Sequence, residues 1–140
     1  MPVNLGVRLF AKTRYFNSLV LMMNREEFVR ELKQNCSKAA VSDCITMLDK
    51  PPGRKPEQNL LNLSEWFKAL SGPDRACVIE AMRMAADTTL FGVLCVLDGV
   101  RSIESTSEKT QFTLHASKAG EVTVLSPSDD FLHDILRSTS

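Results

Sequence analysis

The stretch from Ala76 to Leu97, ACVIEAMRMAADTTLFGVLCVL, carries only three charges, all of them before Thr88. Glu80, Arg83 and Asp87 recur at i, i+3 and i+7, which sets them on one stripe of an α-helix. Val78, Ile79, Met82, Ala85 and Ala86 fall mostly off that stripe. From Leu90 to Leu97 no charge remains. A helix that is apolar on every side is covered on every side, by its own domain or by a second copy. Over this span it is about 33 Å long at about 1.5 Å per residue, enough to cross a small domain. It is not a membrane span, which needs about 20 predominantly apolar residues without such interruptions. A rival reading makes Gly92 to Leu97 a buried strand that turns at Asp98-Gly99 into Val100 to Ile103. The polar stripe leading in, and Gly99 as a C′ residue, favour the helix. Ser71 and Asp74 have S-x-x-D spacing, and Pro73 suits a first turn, so the helix starts there.

Two helices are expected before it. The first runs from about Asn24 to Asp49, with Asn24 and Glu27 at N-cap and N3 spacing and Phe28, Leu32, Cys36, Ala39 or Ala40, and Met47 at helical intervals. Pro51-Pro52-Gly53 ends it. The second runs from about Pro56 to Leu70, with Leu60, Leu63, Phe67 and Leu70 on one stripe and Trp66 at its edge, as core or rim. Short connections make the three helices near-antiparallel neighbours.

After Gly99 the pattern changes. Val100 to Ile103 reads as a short strand or a helical tail, and ESTSEKT at 104–110 as a polar loop. QFTLHA at 111–116 and EVTVL at 121–125 each alternate with period 2, around a turn at 117–120, which is a β-hairpin with Val122 and Val124 on one face. Ser126, Pro127 and Asp129 look like another helix start, leading to a short helix that ends near Leu136. The fold class is therefore α+β: three N-terminal and central helices, a C-terminal antiparallel hairpin or small sheet, and a short final helix. Residues 24–140 form one domain by length. Residues 1–23 form an extension with Arg8, Lys12 and Arg14 and no acid, and Met22 or Met23 could be the true start. It shows neither a long apolar core nor a small-residue cleavage site of the kind a secretory signal has.

The charge balances at +0 and the sequence pI is about 6.7, which argues against nucleic acid or a membrane surface as partner. Cys36, Cys44, Cys77 and Cys95 include no C-x-x-C pair. They read as small buried hydrophobes with free thiols, in a reducing, cytoplasmic compartment, and no metal or other cofactor is expected. No phosphate-cradling glycine loop or nucleophile elbow is present. His115 and His133 are the only histidines, both expected at the surface or rim, and no catalytic residue is assigned.

The candidate ligand-binding residues are Asp87, Asp98 and His115. Asp87 stands where the polar stripe gives way to the apolar run, and Asp98 closes that run. A partly buried carboxylate of this kind has a raised pKa unless it is paired or hydrogen-bonded. The simpler reading pairs Asp87 with Arg83 and makes Asp98 a turn or cap residue. Three functional classes follow. The first is a non-catalytic interaction or regulatory protein, homodimeric through the central helix and able to take a protein partner. The second is a small enzyme or ligand binder with a pocket between the hairpin and the central helix. The third is a nucleic-acid binder using the basic extension and the Lys50, Arg54, Lys55 loop, against which the balanced charge argues. The first leads.

Overall fold

The computed structural model describes residues 22–139. The extension expected at the N-terminus lies outside the described residues except for Met22 and Met23. The rest is the α+β arrangement expected, in the order α1 (Arg25–Leu32), a π-helical segment (Lys33–Lys38), α2 (Ala39–Asp49), α3 (Gln58–Ala69), α4 (Gly72–Leu97), β1 (Leu114–Lys118), β2 (Glu121–Ser126) and α5 (Leu132–Ser138).

The first helix is one rod from Arg25 to Asp49, widened in its middle. Asn24 caps it as its spacing implies: the Glu27 N–H donates to Asn24 Oδ1 at 2.8 Å. The π segment adds about one residue to a turn, which shifts the faces that follow it. Ser37 is thereby turned inward and buried, while Lys33 and Lys38 stay at the rim. The helix ends before Pro51, and α3 packs back on α2. There the Ser64 hydroxyl donates to the Leu48 carbonyl at 2.5 Å, and Phe67 is fully buried. Arg75, at the start of α4, lies 4.3 Å over the Phe67 ring and donates to both oxygens of Asp49 at 2.8 Å. One side chain thus ties together the ends of three helices.

α4 is helical throughout, including Gly92 to Leu97, so the strand alternative does not hold. Ser71 caps its first turn, with the Asp74 N–H 3.2 Å from Ser71 Oγ. Its end is a Schellman motif: Gly99, at φ +73°, donates to the Val96 carbonyl and Val100 to the Cys95 carbonyl. The main core forms where α1, α4 and α5 meet, around Val29, Leu94, Leu132 and Leu136, with Phe28, Leu32, Phe91 and Ile135 against it.

The hairpin turns more tightly than expected, at Ala119-Gly120, both with positive φ as a type I′ turn requires. Lys118 therefore pairs with Glu121 and Ala116 with Thr123. Leu125 faces inward and is buried, while Val122 and Val124, on one face as their alternation implies, are exposed. Both strand faces of EVTVL carry apolar side chains, so alternation alone could not fix the phase. Phe112 precedes the strand rather than joining it, and residues 100–113 are irregular. Within that loop the Thr110 N–H and hydroxyl both donate to the Glu104 carboxylate, holding its pKa below the usual range. The last helix starts at Leu132, not at Pro127, because its cap comes from another part of the chain.

Candidate functional site

That cap is Asp98. Its carboxylate sits at the amino end of α5, where backbone N–H groups have no partner within the helix. The Leu132 N–H donates to Oδ1 at 3.1 Å and the His133 N–H to Oδ2 at 3.0 Å. His133 Nδ1 lies 2.7 Å from the same Oδ2. A carboxylate only accepts, so Nδ1 carries the proton. The Ser126 hydroxyl, fully buried at the end of β2, lies 3.0 Å from Oδ1 and 2.9 Å from the Leu97 carbonyl. Burial pushes the Asp98 pKa up, but the His133 backbone and ring, the Leu132 N–H and the Ser126 hydroxyl outweigh it and hold the carboxyl below its ordinary value. The His133 ring is packed edge-on to Phe91 at 5.5 Å and stacked on Phe131 at 5.3 Å.

The Asp98–His133 pair resembles the orienting half of a hydrolytic triad, but the hydroxyl is in the wrong place. In such a site the nucleophile bonds the far ring nitrogen. Here Ser126 bonds the carboxylate, and His133 Nε2 lies 3.6 Å from Asp134 Oδ1, too long for a hydrogen bond. The cluster is a clasp that joins the end of α4, the end of β2 and the start of α5.

Asp87 is placed differently. It shares a helix face with Leu94 and Asp98, at i, i+7 and i+11. Its partner is not Arg83, which bonds Glu80 at 3.1 Å, but Ser37 of the π segment, whose hydroxyl donates to Oδ1 at 2.5 Å. Asp87 lines two hollows. One of about 230 Å³ opens toward Lys33, Thr88, Phe91, Leu136 and Arg137. The other, of about 430 Å³, opens toward Lys38, Val41, Ser42, Ile45 and Arg83. His115 is exposed on the outer face of β1, opposite Val124. Asp87, Asp98 and His115 thus sit in three separate settings. The hollow that the hairpin borders is lined from Met22, Met23 and Glu27 rather than from α4.

The third feature is the outward face of α4. Cys77, Ala81, Met84, Ala85, Thr89 and Val93 are all exposed, and none is charged. Helical spacing puts Ala81, Ala85, Thr89 and Val93 on the side away from Glu80, Arg83 and Asp87. The charged stripe lies beside the π segment, where Glu80, Arg83 and Asp87 remain exposed, and the small apolar residues occupy the opposite flank. Arg101 lies over Gly92, its guanidinium 2.7 Å from where a Cβ would be, and marks the end of this face. Met84 and Val93 are 64% and 51% exposed.

Ser37, Ser126 and His133 were not legible as functional partners. His133 in particular is nearly buried rather than superficial, at 12% side-chain exposure. Its only sequence signal is its position off the apolar stripe of α5. Cys36, Cys44 and Cys77 are exposed and Cys95 is buried, all as free thiols, so three of the four do not serve as core. Trp66 is half exposed, at the rim of α3. Among the described residues, no three His, Cys, Asp or Glu side chains are grouped to hold a metal, and no helix is long and apolar enough to cross a membrane. No protein-family model matches the chain, no curated protein matches it in sequence, and no solved structure matches its fold.

Proposed function

We propose that this chain is a non-catalytic interaction protein of the cytoplasm that works as a homodimer and docks a protein partner. The observation that carries this reading is the uncharged, exposed outer face of α4. Contiguous apolar surface of this kind is what interfaces are built from. A helix of 26 residues gives it a rigid base, and its alanines and threonines let another backbone approach closely. A second copy is the natural occupant, because a two-fold interface brings the same patch against itself and this patch sets no like charges together. The other exposed apolar groups are less continuous. Leu63 and Trp66 on α3 alternate with Asn62, Glu65 and Lys68, and Val122 and Val124 share their hairpin face with His115 and Ser117. Free thiols fit a reducing compartment.

Light scattering on the full chain tests the reading. The expected mass is twice 15.6 kDa at micromolar concentration, falling to the single-chain value in Ala85→Arg with helical content unchanged. A wild-type monomer across the concentration range would refute it.

A further inference from the structure

We infer that the hollow between the π segment, α4 and α5 is a binding site for a small organic anion with a short apolar body. The inference is independent of the dimer reading. Residues 22–139 are acidic as a whole, carrying 14 of the 17 basic side chains against all 17 acids, since Arg8, Lys12 and Arg14 precede them. Positive charge nevertheless gathers here. The hollows on either side of Asp87, and a third of about 450 Å³ that shares Lys33 and Lys38 with them, are lined by Arg30, Lys33, Lys38, Arg83 and Arg137 against only Glu31 and Asp87.

Arg83 and Arg30 are already paired with acids of their own helices. Lys33, Lys38 and Arg137 have no carboxylate within 4.0 Å among the described residues. Lys33 Nζ donates to the Thr139 carbonyl at 3.2 Å, which holds its charge near the carboxyl end of α5. The Arg137 guanidinium is held 4.5 Å above the Phe91 ring. Two cations and the Thr88 hydroxyl therefore border one hollow of about 230 Å³, with Phe91 and Leu136 as its apolar side. Anionic oxygens fit between Lys33 and Arg137, where charge-assisted hydrogen bonds are strongest. The body of the ligand covers Phe91 and Leu136. Asp87 at the seam excludes a second negative group and accepts a hydroxyl or amino donor beside the first. The π segment is what makes the arrangement: it turns Ser37 onto Asp87 and leaves Lys33 and Lys38 on the rim.

The test is an amide NMR titration of the full chain with phenyl phosphate and with benzoate, using phenol as the neutral control. Saturable shifts confined to Lys33, Thr88, Phe91 and Arg137 are expected for the anions, with phenol binding about tenfold more weakly. Preference for phenyl phosphate would identify a phosphate ligand, and equal or better binding of benzoate a carboxylate. Arg137→Gln should weaken either anion about tenfold, the loss of one charge-assisted contact. Thr88→Val, on an exposed face, should weaken it about threefold and serves if Arg137→Gln does not fold. Shifts spread over Lys50, Lys55 and other surface lysines, binding of phenol as tight as the anions, or variants that bind like wild type would overturn the assignment.

Discussion

The inward and outward sides of α4 follow opposite rules. The inward side carries Asp87 and Asp98 on one face with buried Leu94 between them, and each carboxylate has hydrogen-bond donors from another element. The outward side carries no charge from Cys77 to Val93 and is exposed at Cys77, Ala81, Met84, Ala85, Thr89 and Val93. Asp87 and Asp98 tie α4 to the π segment and to α5, and the exposed uncharged flank is the surface that the proposed dimer uses. The two carboxylates differ in turn. Asp98 is buried and fully committed to the clasp, while Asp87 is exposed, bound only by Ser37, and borders open hollows.

That contrast can be broken first at Asp98. Asp98→Ala leaves two backbone N–H groups and an imidazole N–H without their acceptor, while the Ser126 hydroxyl keeps the Leu97 carbonyl. It should destabilise the chain by about 3 kcal/mol. At this chain length that lowers Tm by about 10 °C, read by thermal melting. The clasp also sets a pH dependence. The folded pKa of Asp98 is depressed, so its contribution is complete above the unfolded value of about 3.9 and is lost as pH falls through the folded one. Melting temperature should drop below pH 4 in wild type, and Asp98→Asn should remove part of that drop. An identical acid profile in the variant would mean that Asp98 is not the group responsible.

Asp87 sharpens the comparison. Asp87→Ala removes one hydrogen bond at a site that water reaches, so the loss should be about 1 kcal/mol, the cost of leaving the buried Ser37 hydroxyl unpaired. A loss as large as that for Asp98→Ala would erase the distinction between the two. The smallest change expected is a gain. Gly92→Ala replaces the least favourable residue of α4 at a position where only the flexible end of Arg101 stands in the way. Urea unfolding should show stabilisation of about 0.5 kcal/mol, part of the helix-propensity gain being spent on moving that guanidinium.

Much of this architecture was legible in the sequence. Asn24, Ser71 and Gly99 mark helix ends by local chemistry, and each occupies the cap its spacing implies. The continuous helix to Leu97 followed from its polar lead-in. What depended on partners distant in the chain did not show. The clasp joins Asp98 to Ser126, Leu132 and His133, about thirty residues away, and no local pattern names such a partner. The Ser37–Asp87 bond depends on the π segment, whose KQNCSK sequence reads as ordinary helix. Which hairpin face is buried depends on how the hairpin packs on the helices, because both faces of EVTVL carry apolar side chains. Of the candidate ligand residues, Asp98 was visible as a turn or cap residue and α5 as a short final helix, but not that the one caps the other.

The central claim is that the outward face of α4 is covered in solution. Methyl NMR of the full chain with a neutral soluble paramagnetic agent tests it most directly, because signal loss reports solvent access at each side chain. The account predicts that Ala81, Ala85 and Val93 keep their intensity while Val122 and Val124, exposed on the hairpin, lose theirs, and that Ala85→Arg exposes Ala81 and Val93 to the same loss. Bleaching of Ala81 and Val93 in the wild-type chain as strong as that of Val122 would contradict it.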